Sequence, residues 1–223
     1  MKKLISMMIC VLLLLGACST NEQEENVKPA EMNPDELPEV PAFENEFTRE
    51  FLQSVEPVRE GYYPFLSKSE SFTMDFPEET IIEQRSHIVG PENRSETVEL
   101  IRIEKLLDIR VNYKMHYNHF MSSEENSKEQ MSARANRDLD GFKPIETNFD
   151  KQGLEIAEYK PFEDMHSILA IIWNESHQQI QINITVVCTD DKNKKNCIQL
   201  PEEEKENIID HLKSIELIPY EEE

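Results

Sequence analysis

Apolar residues are dense from Leu4 to Leu15, sparse from Ser19 to Val40, and regularly patterned from Phe43 onward. Phe43, Phe47, Phe51 and Val55 recur at helical spacing and predict a short amphipathic helix that stops before Pro57. Gly61 and Pro64 then break the pattern. From Ser71 to Phe76 apolar and polar side chains alternate up to Pro77, the mark of a half-buried strand. Weaker strands are expected around Ile81-Ile82 and from His87 to Val89. Thr97 to Leu106 and Ile109 to Phe120 predict two longer strands joined by a reversal at Lys105 to Asp108. In the second of these, Val111, Tyr113, Met115 and Tyr117 alternate strictly.

Ser122 to Asp138 is polar, carries alanines, and lacks glycine and proline, so it predicts a solvent-facing crossover helix. Ser122 or Ser123 would cap it, with Glu124 and Glu125 near its positive end. Four more strands are expected at Lys143 to Asn148, Leu154 to Pro161, Ser167 to Trp173 and Gln179 to Cys188, separated by hairpin-type loops. Pro201, followed by Glu202, Glu203 and Glu204, starts a last helix with an apolar stripe of Ile208, Ile209, Leu212 and Ile215. The expected fold class is α+β, an antiparallel sheet flanked by helices.

A strand ending at Phe76-Pro77, paired strands, a crossover helix, four strands and a helix closing on Leu212-Lys213-Ser214-Ile215 together resemble the PsbP-like sandwich. The resemblance covers most of residues 60 to 218 and implies a fold. It implies no functional residue, because that family spans unrelated roles.

The N-terminal run has a different meaning. Lys2 and Lys3, then an apolar core, then small residues before a cysteine are the parts of a secretory signal peptide. The core is too short to span a bilayer, which takes about 20 apolar residues. Leu15-Gly16-Ala17-Cys18 resembles the bacterial lipobox, as found in Gram-positive surface lipoproteins. The resemblance implies a diacylglycerol on the Cys18 thiol and cleavage that makes Cys18 the new N-terminus. Residues 18–42, acidic and bearing Pro29, Pro34, Pro38 and Pro41, predict a disordered tether. At 5 to 6 Å times the square root of its length, such a tether reaches roughly 25 to 30 Å. The expected organisation is a signal peptide at 1–17, a lipidated linker at 18–42, and one globular domain at 43–223.

Charge narrows the partners. The chain carries 23 basic against 45 acidic residues, and losing Lys2 and Lys3 takes the formal net charge from −22 to −24. Such a surface repels phosphate backbones, so nucleic acid is not an expected partner. The expected partners are the membrane, through the lipid on Cys18, and an envelope protein, with the chain itself monomeric.

Candidate chemistry is thin. Cys188 and Cys197 flank a polar stretch from Thr189 to Asn196, and in an exported protein such a pair suggests a disulfide. Free thiols and a zinc site are the alternatives, the latter lacking a second ligand pair. His116 and His119 fall on opposite faces of a strand, and the other histidines are dispersed, which reads as surface or rim positions. No calcium loop, serine elbow or phosphate-cradling loop is present in the sequence. Trp173 is expected in the core, while Tyr113 and Tyr117 suit either a core or an interaction groove. No catalytic residue, metal or cofactor is expected. The sequence-level expectation is therefore a membrane-anchored, extracytoplasmic, non-catalytic binding or assembly module. An envelope hydrolase using Glu99, Glu104 or Glu155 is the alternative, and a solute-binding transport component with two lobes is a third.

Overall fold

A computed structural model describes residues 27–104, 108–136, 141–189 and 200–219. Residues 27–42, inside the segment expected to be a tether, carry folded structure. Three-residue helical turns form at Pro29–Glu31 and Pro34–Glu36, each opened by a proline whose fixed φ suits a first helical position. Pro29 is buried, and Leu37 and Val40 pack against the core. The linker boundary expected at residue 42 is thus corrected toward the N-terminus. These prolines start turns, and the few apolar residues between them reach the core.

The helix expected from Phe43 to Val55 is two short turns, α1 (Pro41–Glu44) and α2 (Glu46–Arg49). Asn45 divides them with extended backbone while its side chain accepts a 2.9 Å hydrogen bond from Thr48 N. An Asn side chain that competes for backbone donors favours a cap over a helix interior. Thr48 Oγ1 donates to the same Asn45 oxygen and accepts from Ile82 N, which fixes the turn to the next layer.

A small sheet follows, β1 (Tyr62–Leu66) and β2 (Phe72–Pro77), completed by β11 (Glu216–Leu217) on the other side of β2. Pro64, expected to break structure, lies within β1. That strand is an edge, where a missing N–H is tolerated. Phe65 stacks on Phe51 at 5.5 Å and on Phe76 at 5.8 Å, an aromatic column joining the turn after α2 to this sheet.

The large sheet is antiparallel throughout. Its strands are β3 (Thr80–Ile82), β4 (Ile88–Val89), β5 (Ser95–Glu104), β6 (Ile109–Asn118), β7 (Lys143–Pro144), β8 (Gln152–Phe162), β9 (Met165–Asn174) and β10 (Gln179–Cys188). The order is β3-β5-β6-β10-β9-β8-β7, with β4 beside β5. After β6 the chain crosses through helix α3 (Glu124–Arg134), capped by Ser123, which accepts from Asn126 N at 3.2 Å. Four strands then return, so that β10 closes against β6 with Ile180 opposite Tyr117. The architecture is α+β with antiparallel sheets.

One face of the large sheet carries the core. Val98, Leu100, Tyr113, Met115, Tyr117, Ile180, Ile182 and Ile172 pack with Phe72, Met74 and Phe76 of the small sheet, and with Ile208 and Leu212 of helix α4 (Glu202–Lys213). A buried carboxylate links the two sheets: Glu96 of β5 accepts from Lys68 N and Ser69 N and meets His87 Nε2 at 2.9 Å. Gln152 of β8 bonds to both Ile215 O and Leu217 N, which clamps the C-terminal strand in place.

Candidate functional site

The second face of the large sheet is only half covered. Period-two alternation that sends Tyr113, Met115 and Tyr117 inward sends Lys114 and His116 outward. Cross-strand pairing then places Thr97, His116, Gln181, Ile171 and Glu155 in one row across β5, β6, β10, β9 and β8. Helix α3 lies over the β9 end of this face, where Met121 and Met131 pack on Leu169 and Ile171. Between the helix edge and the uncovered strands is a cleft of about 490 Å³.

Met131, Arg134 and Ala135 reach it from one side of α3, the spacing of three and four that shares a helix face. Lys114 and His116 enter from β6, Gln181 and Asn183 from β10, and Tyr159 and Leu169 from the far strands. Arg134 Nη1 donates to Gln181 Oε1 at 2.9 Å, tying helix to sheet. Ser127 Oγ donates to Gln179 Oε1 at 2.8 Å, and Lys128 pairs with Glu155 at 2.9 Å. His116 Nδ1 lies 3.0 Å from Thr97 Oγ1. Burial, then the charges of Arg134 and Lys114, hold the His116 pKa below its ordinary value, so the imidazole is neutral at pH 7. Among the described residues no carboxylate lines the cleft, in a chain with 45 acidic residues.

A smaller concavity of about 340 Å³ surrounds Trp173, with Lys151, Glu175 and His177 at its rim. Gly153 sits against the indole; a Cβ there would come within 2.3 Å of Cζ2. Trp173 is therefore a half-buried edge of the second apolar cluster rather than the core residue expected. Tyr113 and Tyr117 are core residues, which removes them from any groove. Phe120 is 63% exposed.

The other expected positions scatter. Glu99 and Glu155 share a face but stand four strands apart, about 19 Å at the usual strand spacing. Glu104 lies near Arg102 at 3.9 Å on the opposite side of β5. His211, expected at the surface, is buried in α4 beside Tyr113, and burial pushes its pKa down to about 3. Neither of its ring nitrogens has a hydrogen-bond partner among the described residues. Glu204, in the first turn of α4, is buried and accepts a hydrogen bond from Arg102 Nη2. Burial raises its pKa against the opposing pull of that guanidinium. Cys188 ends β10 with Sγ 3.8 Å from Asp164 O. Cys197 and Cys18 lie outside the described residues, so the pairing with Cys188 and the lipidation are not placed. Among the described residues no three His, Cys, Asp or Glu side chains gather as a metal-ligand group.

Fold and cleft together define an α+β protein of antiparallel sheets with a donor-lined concavity under its crossover helix. A family model described as "Putative lipoprotein YvcA" matches residues 38–216, and the chain belongs to that family. The match covers most of the chain from the turn before α1 to β11 and begins beyond Cys18. The chain is also 40% identical over 106 residues to a lipoprotein of Bacillus subtilis (strain 168) with the same description. That alignment spans 43% of this chain and 44% of the relative. Among the described residues no helix is long and apolar enough to cross a membrane.

Proposed function

We propose that the protein is a lipid-anchored, extracytoplasmic binding module, held to the cell membrane through Cys18 and binding its ligand without turning it over. The lipobox-like Leu15 to Cys18 and membership of a lipoprotein family support the anchorage. One observation carries the binding role: among the described residues the cleft beneath α3 is lined by hydrogen-bond donors and apolar walls and by no carboxylate. Its volume falls within the range of about 300 to 1,000 Å³ used for small ligands. The Cys188–Cys197 disulfide belongs to the same proposal, as a clasp suited to an oxidising envelope.

The test compares full-length protein recovered from membranes in lipid nanodiscs with an Ala135→Trp variant that fills the cleft. Native mass spectrometry is expected to show a small molecule retained by the native chain and lost from the variant. Equal recovery from both, or chemical conversion of the retained molecule on incubation, would overturn the proposal. Loss of membrane association in Cys18→Ala checks the anchor separately.

A further inference from the structure

The cleft beneath α3 is lined by two cations, Lys114 and Arg134, in a chain whose formal net charge is −22. Several described cations elsewhere pair with carboxylates: Lys68 with Glu50, Arg59 with Asp75, Lys128 with Glu155, Lys205 with Glu158. Lys114 and Arg134 have no such partner among the described residues. Glu99 stands opposite Lys114 in the β5–β6 register, yet the two form no ion pair. Both cations are exposed at the cleft rim, while Met131 and Leu169 behind them are buried. A positive rim over an apolar floor is complementary to a molecule with an anionic head and an apolar body.

We propose that the cleft binds a small organic oxyanion, a carboxylate or phosphate group carried on an apolar or aromatic body. Lys114 and Arg134 meet the charged head. An ammonium and a planar guanidinium from two different elements can grip adjacent oxygens of one such group. Gln181 holds the Arg134 side chain against the sheet through its 2.9 Å hydrogen bond, which limits the ordering cost on binding. Asn183, opposite Lys114 across the β6–β10 pair, adds a neutral amide donor on the same side. Tyr159, Met131 and Leu169 take the apolar body. His116 is faced by Lys114 on its own strand, Thr97 and Glu99 from β5, Gln181 and Asn183 from β10, and Arg134 from α3. An anion entering this set relieves the cationic pressure on the imidazole.

This assignment rests on the binding role proposed above and is tested so that the two fail differently. The probes are phenyl phosphate, benzoate, benzyl alcohol and inorganic phosphate, titrated calorimetrically into the full-length protein in nanodiscs. Phenyl phosphate or benzoate is expected to bind at least tenfold more tightly than benzyl alcohol, and whichever binds better identifies the head group. Lys114→Gln and Arg134→Gln should each lose roughly tenfold or more, the scale of one charge-assisted hydrogen bond. The His116 pKa, followed in histidine-labelled protein, should rise on binding. If benzyl alcohol binds as tightly, or neither substitution matters, the anionic class is wrong while the cleft remains a binding site. If inorganic phosphate matches phenyl phosphate, the apolar body is wrong. Failure of every probe to bind, with a native ligand still retained by the protein, overturns the ligand class alone.

Discussion

The two faces of the large sheet are built from the same strands and differ in what covers them. On the inner face, odd residues of β6 and even residues of β10 meet the small sheet and α4, and the polar groups caught there are paired or neutral. Arg102 reaches Glu204, Gln178 donates to the Tyr117 hydroxyl at 2.9 Å, and His211 is held uncharged. On the outer face α3 covers only part of the sheet, and Lys114 and Arg134 stand at an opening. The inner face spends its polar groups on specifying one packing arrangement, whereas the outer face leaves them available to a ligand. Burial and exposure of alternate residues on one strand thus divide stability from recognition.

That division can be broken most strongly from the inside. Tyr117→Ala removes a fully buried ring and its hydrogen bond, and should cost about 3 to 5 kcal/mol in denaturant unfolding. Next in size is the acid response of His211. Its folded pKa of about 3 lies below the unfolded value, so its contribution is complete above about pH 6.5 and is lost as pH falls toward 3. At pH 5 the loss is about 2 kcal/mol, and His211→Phe should remove that part of the slope. Glu204 acts with the opposite sign, since its raised pKa favours the fold as it protonates on acidification. The comparison of native and variant curves isolates the histidine.

A smaller effect links the faces. Ser123→Ala removes the cap of α3 and should cost about 1 kcal/mol, while also loosening ligand binding because the helix walls the cleft. Smallest in stability is Lys114→Gln, expected to shift unfolding by less than about 0.5 kcal/mol. If it destabilises as much as an inner-face change, the division between faces is wrong.

Much of this was legible in the chain. β2, β5 and β6 announce themselves because one-sided burial imposes a period of two, β9 as a continuous apolar run buried on both faces, and α3 and α4 because capping and stripe signals sit at their starts. Position 211 was readable too: it follows Ile208 by three residues and shares its buried stripe, although a histidine there invites a surface assignment. Pro64 misled because proline signals a break unless the strand is an edge, and edge status is a property of the whole sheet. The turns from Pro29 to Glu36 were missed because the few apolar residues around them find partners only in the assembled core.

For the candidate site, alternation alone put Lys114 and His116 on one face, and helical spacing alone put Met131 beside Arg134 and Ala135. Local stereochemistry suffices for both, since it depends only on neighbours in the chain. That β10 lies beside β6, that α3 stops short of covering the pair, and that Arg134 therefore meets Gln181 were decided by the tertiary structure. Strand order is set by which faces can be buried together, and that competition involves residues more than 60 positions apart, such as Gln178 and Tyr117.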